Sequence, residues 1–201
     1  MKKLILLTLL ITLSVNASAS DKGFLSLGIG SIRDNIDTDY SVTGSSFSIE
    51  GGAYFGKKVD GFSFAFSSEF SVLSGKNDNI PDFKEKDNLG MLAFNLYTIY
   101  SESKFNPYFG FGLVYTLFAE SKATQISTGI EADLSASAYS SVGFQIKFGG
   151  KYYVRDDISI DAEYKLTNID INFDKLNSIY YVDETVKNKI STLQLKLTKE
   201  F

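Results

Sequence analysis

The chain has no cysteine, no histidine and no tryptophan, and its 201 residues include only two prolines, Pro81 and Pro107. Without cysteine there is no disulfide framework and no thiol chemistry. Without histidine there is no imidazole acid–base pair, no serine–histidine triad and no His-based metal site. Beyond the first twenty residues no apolar run approaches the ~20 residues of a spanning helix. Basic charge is outnumbered as well: 20 Lys and Arg stand against 24 Asp and Glu. Setting aside Lys2 and Lys3 leaves 18 against 24, a net −6. That balance argues against nucleic acid as a partner.

What the chain does have is 17 Phe, 12 Tyr and 16 Gly, a composition that favours strands. Residues Met1–Ser20 read as an export signal. Lys2 and Lys3 precede an apolar run from Leu4 to Val15, and Ala17-Ser18-Ala19 fits a small-residue cleavage site. This divides the chain into a signal peptide, residues 1–19, and one exported domain, residues 20–201.

The repeating unit is clearest from Tyr139 to Leu166. Val142, Phe144, Ile146 and Phe148 alternate with Ser141, Gly143, Gln145 and Lys147. After a polar turn at Arg155-Asp156-Asp157, Ile158, Ile160, Ala162, Tyr164 and Leu166 alternate with Ser159, Asp161, Glu163 and Lys165. A strand sends successive side chains to opposite faces, so this is a hairpin with one apolar and one polar face. Each run is about twice the usual 5–6 residues of a soluble strand, and suits the 9–11 residues that cross a membrane as a β-strand.

The same pattern predicts strands near 23–32, 45–55, 62–72, 89–100, 107–118 and 190–201. The links between the eight strands alternate long and short. Loops at 33–43, 74–88, 120–137 and 168–189 alternate with turns at 56–61, 101–106 and 155–157. An even number of antiparallel strands with short turns at one end and long loops at the other is the outer-membrane pattern. The expected fold is all-β: an eight-stranded antiparallel up-and-down transmembrane β-barrel.

In such a barrel the apolar parity faces lipid and the polar parity fills the lumen. Glu50, Glu69, Gln145, Lys147, Asp161, Glu163, Lys165, Gln194, Lys196 and Glu200 share the polar parity, together with Gly28, Gly30, Gly52, Gly110, Gly112 and Gly143. An eight-stranded interior is just wide enough for side chains. Buried charges are costly unless paired. Glu50, Glu69, Lys147, Asp161, Glu163, Lys165, Lys196 and Glu200 are therefore expected to form an ion-pair network that plugs the lumen. Phe55, Phe62, Tyr100, Tyr108, Phe109, Tyr152 and Tyr153 cluster near the short turns as a candidate interfacial girdle. Lys199 falls on the lipid parity. Two residues from the end it is expected at the interface, where a Lys costs about 0–1 kcal/mol rather than the ~2–4 of the midplane.

Pro107-Tyr108-Phe109-Gly110-Phe111-Gly112, the stretch from Phe144 to Tyr164 and the terminal strand resemble the eight-stranded outer-membrane β-barrel family, which includes the transmembrane domain of outer membrane protein A and the opacity-type adhesins. The resemblance covers essentially all of residues 20–201 and implies a bacterial outer-membrane location. It also implies that Leu195, Leu197 and Phe201 form the signal read by the outer-membrane assembly machinery, although Lys199 stands where that signal usually has an aromatic. Barrel acyltransferases and deacylases of this kind would need a histidine beside a serine, so no enzyme activity, catalytic residue, cofactor or metal is expected. Asp34, Asp37 and Asp39 lack the glycine of a calcium loop and read as solvated charge. The expected partners are outer-membrane lipid, the assembly machinery and an extracellular protein or surface ligand met by the loops, through residues such as Tyr40, Phe83, Ile126, Tyr180 and Tyr181. The resulting function is adhesion, interaction or envelope integrity. The alternative is a narrow channel or small-molecule transport barrel.

Overall fold

The computed structural model describes residues 22–37, 40–77, 82–136, 141–172 and 185–201. The expected export signal, and Tyr180 and Tyr181, lie outside them. The strands are β1 (Gly23–Asp37), β2 (Tyr40–Val59), β3 (Phe62–Asn77), β4 (Phe83–Tyr100), β5 (Phe105–Gln125), β6 (Glu131–Ala136), β7 (Val142–Arg155), β8 (Ile158–Asn172) and β9 (Thr185–Glu200). Neighbours pair antiparallel in the order β4-β3-β2-β1-β9-β8-β7-β5, and β4–β5 pairing closes the circle. Eight strands thus form the barrel. The short β6 adds to β5 beyond the end of its pairing with β7.

The turns at one end are tight because their sequences permit it. Asp60 and Gly61 both take positive φ, 48° and 84°, as a two-residue hairpin turn requires. Asp156 and Asp157 alone connect β7 to β8. At the other end the strands run further than the sequence pattern predicts. Most of 33–43 and 74–88, and the described ends of 120–137 and 168–189, expected as loops, continue the strands, and the sequence pattern does not predict β6.

The greasy parity points outward. Phe64, Phe111 and Leu195 are 37%, 48% and 61% exposed, and Phe66 lies between them on the same outer wall. Inside, the barrel is narrow. A Cβ on Gly112 would lie 2.2 Å from Asn95 Oδ1, and one on Gly110 2.7 Å from the Tyr97 ring, so these glycines make room for larger residues on β4. Two aromatics leave the expected girdle. Phe55, Phe62, Tyr100, Phe109 and Tyr152 are exposed on the outer wall, but Tyr108 and Tyr153 share the lumen parity and hydrogen-bond to Glu163 and Glu200. Lys199 is half exposed and pairs with Asp157 at the short-turn end.

The polarity of the wall inverts part-way up. Toward the short turns, the outside is apolar and the inside polar. Toward the long loops, the outward residues become Ser31, Arg33, Ser74, Lys76, Asn88, Lys86, Asn168, Asp170, Ser191 and Lys189, most of them exposed. The inward residues there are Ile32, Leu73, Leu89, Met91, Val114, Ile169, Ile171 and Ile190, packed as one buried cluster. On β5 a bulge helps to set this phase. Thr116 pairs with Met91 and Phe118 with Gly90, which leaves Leu117 as the extra residue. By strict alternation with Phe111, Leu113 and Tyr115, Leu117 would face lipid. Its insertion instead turns Ala119 inward and Glu120 and Lys122 out to water. The staves therefore stand clear of the bilayer as a small soluble barrel with an apolar core.

Candidate functional site: a sealed lumen and an extracellular sheet

Three glutamates and three lysines meet at the centre of the membrane-embedded half. Glu69 on β3 pairs with Lys147 on β7, and with Lys165 on β8 at 2.7 Å. Glu50 on β2 pairs with Lys196 on β9 at 2.8 Å and with Lys147 at 3.3 Å. Glu163 on β8 pairs with Lys196 at 2.7 Å and Lys147 at 3.9 Å. The cluster is neutral, and all six residues are 0–3% exposed. Neighbouring side chains add hydrogen bonds to Glu50 and Glu163, although Glu163 Oε1 has only its ion-pair contact with Lys196. Ser67 Oγ donates to Glu50 at 2.5 Å, Asn95 Nδ2 at 3.3 Å, and Tyr97 donates to the same carboxylate. Lys147 Nζ donates to the Tyr97 hydroxyl at 2.7 Å, and Tyr108 donates to Glu163 at 3.0 Å. Paired and hydrogen-bonded in this way, the charges meet the condition under which burial is tolerated.

Nearer the short turns lies a second layer. Lys151 Nζ stands 3.6 Å from Glu200 and 4.7 Å from the centre of the Phe24 ring. Tyr54 and Tyr153 donate to Glu200. Asp161 accepts from Ser159 at 2.5 Å and Thr198 at 2.7 Å. The structure therefore brings Glu50, Glu69, Glu163, Lys147, Lys165 and Lys196 into one cluster. Glu200 sits in the lower layer, and Asp161 is held by hydroxyls. Sequence parity alone did not single out Tyr97, Tyr108, Asn95 and Lys151, which complete both layers. Their signal was that each lies on the lumen parity of its strand, Asn95 and Tyr97 beside Ala93, Tyr108 beside Gly110 and Lys151 beside Gly149. Leu195 and Leu197 face outward on β9 and Phe201 follows its last residue. Asp34 points inward, half buried, at the top of the apolar cluster, which is not the solvated loop position expected of it.

A charge layer and an apolar cluster thus stand one above the other across the lumen of the described barrel. Planar-bilayer recording of the pure monomer is expected to give no steady conductance above background. A large, stable conductance would mean the layers open.

Outside the membrane, β3 to β6 form a projecting sheet. The β4–β5 ladder continues from Asn88–Glu120 to Phe83–Gln125, roughly 17 Å at ~3.4 Å per residue. Its tip, residues 126–130, carries exposed Ile126 and Ile130. Asp82 ties this tip to the start of β4. Its carboxylate accepts the Ser127 N–H at 2.8 Å, the Ser127 hydroxyl at 2.6 Å and Gln125 Nε2 at 3.1 Å, while its carbonyl accepts the Ile126 N–H at 2.8 Å. The Ser127 hydroxyl bond, with help from Gln125 and the Ser127 N–H, holds the Asp82 carboxyl below its ordinary range. A carboxyl held lower in the folded state stabilises above its unfolded pKa and loses that contribution as pH falls through the folded value. The tether is thus complete at neutral pH and weakens only in acid below the ordinary carboxylate range. Protease cutting at 126–130 should rise on acidification, and Asp82→Ala should reproduce the acid pattern at pH 7.

A closed wall of antiparallel strands, greasy outside and ion-paired within, defines a transmembrane β-barrel. The chain belongs to the outer membrane protein beta-barrel domain family, whose sequence profile matches residues 5–197. Its place is the bacterial outer membrane. No curated protein sequence matches it. Among solved structures the fold is similar to Neisserial surface protein A, at 16% identity and TM-score 0.53, over 90% of this chain and 100% of that one. It is likewise similar to Ail, the attachment invasion locus protein of Yersinia pestis, at 14% identity and TM-score 0.53, over 90% and 98%. At these identities the likeness is one of fold.

Proposed function

We propose that the chain is a non-enzymatic surface-interaction protein, with the barrel as anchor and the projecting β3–β6 sheet as the binding element for an extracellular protein or surface ligand. One observation carries the reading: paired charges and an apolar cluster stand across the lumen, while the sheet beyond the membrane ends in two exposed isoleucines on a hydrogen-bonded support. Two large apolar side chains held at a rigid tip have little to do in a monomer in water, and much to do against a partner. The fold likeness to a protein named for attachment and invasion is consistent with this reading. A transport role would need a water path, and the paired charges and the apolar cluster argue against one.

The test is attachment by bacteria displaying the protein. Ile126→Asp with Ile130→Asp should lower attachment about tenfold, the effect of losing one anchor contact. The heat-modifiable gel shift of the barrel should stay unchanged. Attachment equal to wild type, with the double variant present at the surface, would overturn the reading.

A further inference from the structure

Above the apolar wall, the outward face of β1 to β5 carries successive cross-strand rows. Ile29, Phe47, Val72, Gly90 and Phe118 form the last apolar row, each the Cα partner of the next. Ser31, Ser45, Ser74, Asn88 and Glu120 form the next. Then come Arg33, Thr43, Lys76, Lys86 and Lys122, all exposed. Lys84 is exposed two residues further along β4. Lys76 thus stands directly across from Lys86, and Lys86 across from Lys122. Like charges placed directly opposite each other destabilise a sheet. Lys122 has Asp133 opposite it on its other side. Among the described residues, Arg33, Lys76, Lys84 and Lys86 make no ion pair with the protein.

The position of this row says what answers it. Four residues separate it from the last apolar row, ~13 Å along a strand at ~3.4 Å per residue. A tilt of about 45° reduces that to ~9–10 Å along the membrane normal. The polar headgroup layer is about 5–7 Å deep on each side, and a lysine reaches back along its own stem to keep its ammonium in that layer. We propose that Arg33, Lys76, Lys84 and Lys86 form a docking face for the phosphomonoester groups of lipid in the surrounding outer leaflet. A doubly charged phosphate between Lys76 and Lys86 relieves their repulsion, which a zwitterionic headgroup does not. A soluble sulfated glycan would meet the protein at the loop tips, whereas this face lies on the barrel wall beside the bilayer.

The test folds the full exported chain into phosphatidylcholine vesicles containing bisphosphorylated lipid A, or the same lipid stripped of its phosphates. Labelled lipid retained per barrel after mild detergent extraction is then counted. Wild type should retain the phosphorylated lipid at least about fivefold over the stripped one, the effect of one cation near an anionic surface. The advantage should fade as salt rises to about 1 M. Arg33→Gln with Lys76→Gln, Lys84→Gln and Lys86→Gln should abolish it while the heat-modifiable shift persists. Should that variant not fold, the salt response of wild type decides alone. Equal retention of the two lipids, or retention insensitive to salt, would overturn the proposal. So would an advantage erased by millimolar inorganic phosphate, which marks a free-anion site, or heparin oligosaccharide binding with no discrimination between the lipids.

Discussion

Glu69→Ala is expected to lower the stability of the folded barrel by about 3–5 kcal/mol, the range for removing one partner of a buried ion pair. Glu69 is fully buried, and its two oxygens reach Lys147 and Lys165 on separate strands. Without it, Lys165 is left between packed strands with no carboxylate in contact. Lys147 is left with Glu50 at 3.3 Å and Glu163 at 3.9 Å. The chain lacks tryptophan, so the measurement is urea unfolding in vesicles followed by gel mobility or circular dichroism. The comparison that isolates the cause is Glu69→Met with Lys165→Met. It deletes a charge of each sign and should be less destabilised than the single variant, because no orphan remains. A midpoint for Glu69→Ala equal to wild type would mean that water reaches Lys165 and that the lumen is not sealed.

This network was legible in the sequence because it lies where alternation is strict. Over Gly143–Phe148 and Ile158–Leu166 small or polar residues alternate strictly with apolar ones, so parity alone sends Lys147, Glu163 and Lys165 inward. Parity does not give height, and so it did not separate Glu200 and Asp161 from the central cluster. Tyr108 and Tyr153 were misread for a related reason. Near a strand end a tyrosine suits the interface and the lumen equally, and only its register with Gly110 or Lys151 decides.

The upper third was not legible at all. In Leu166-Thr167-Asn168-Ile169-Asp170-Ile171 the backbone keeps its alternation, but the apolar residue moves from the outward to the inward position between Leu166 and Ile169. Read as a pattern, such a flip looks like the end of a strand. Physically it is a change of solvent. Below it the wall meets lipid, so apolar side chains face out. Above it the wall meets water, so they pack inward as in any soluble barrel. Arg33, Lys76 and Lys86 passed for loop charge for the same reason.

Leu96→Arg follows from that change of solvent and measures it. Leu96 is 60% exposed on the outer wall of β4, between Phe66 and Phe111 on the neighbouring strands, well inside the apolar belt. An arginine near the bilayer midplane is expected to cost about 2–4 kcal/mol. Asn88→Arg, on the same strand and the same face but beyond the last apolar row, should cost about 0–1 kcal/mol. In water the two sites would be nearly alike, since an exposed substitution away from special contacts stays within about 0.5 kcal/mol. The difference between the two variants therefore reads the depth of lipid along one strand. Equal urea midpoints in vesicles would put both positions in the same solvent, and the inversion of polarity at Gly90 would then need another cause.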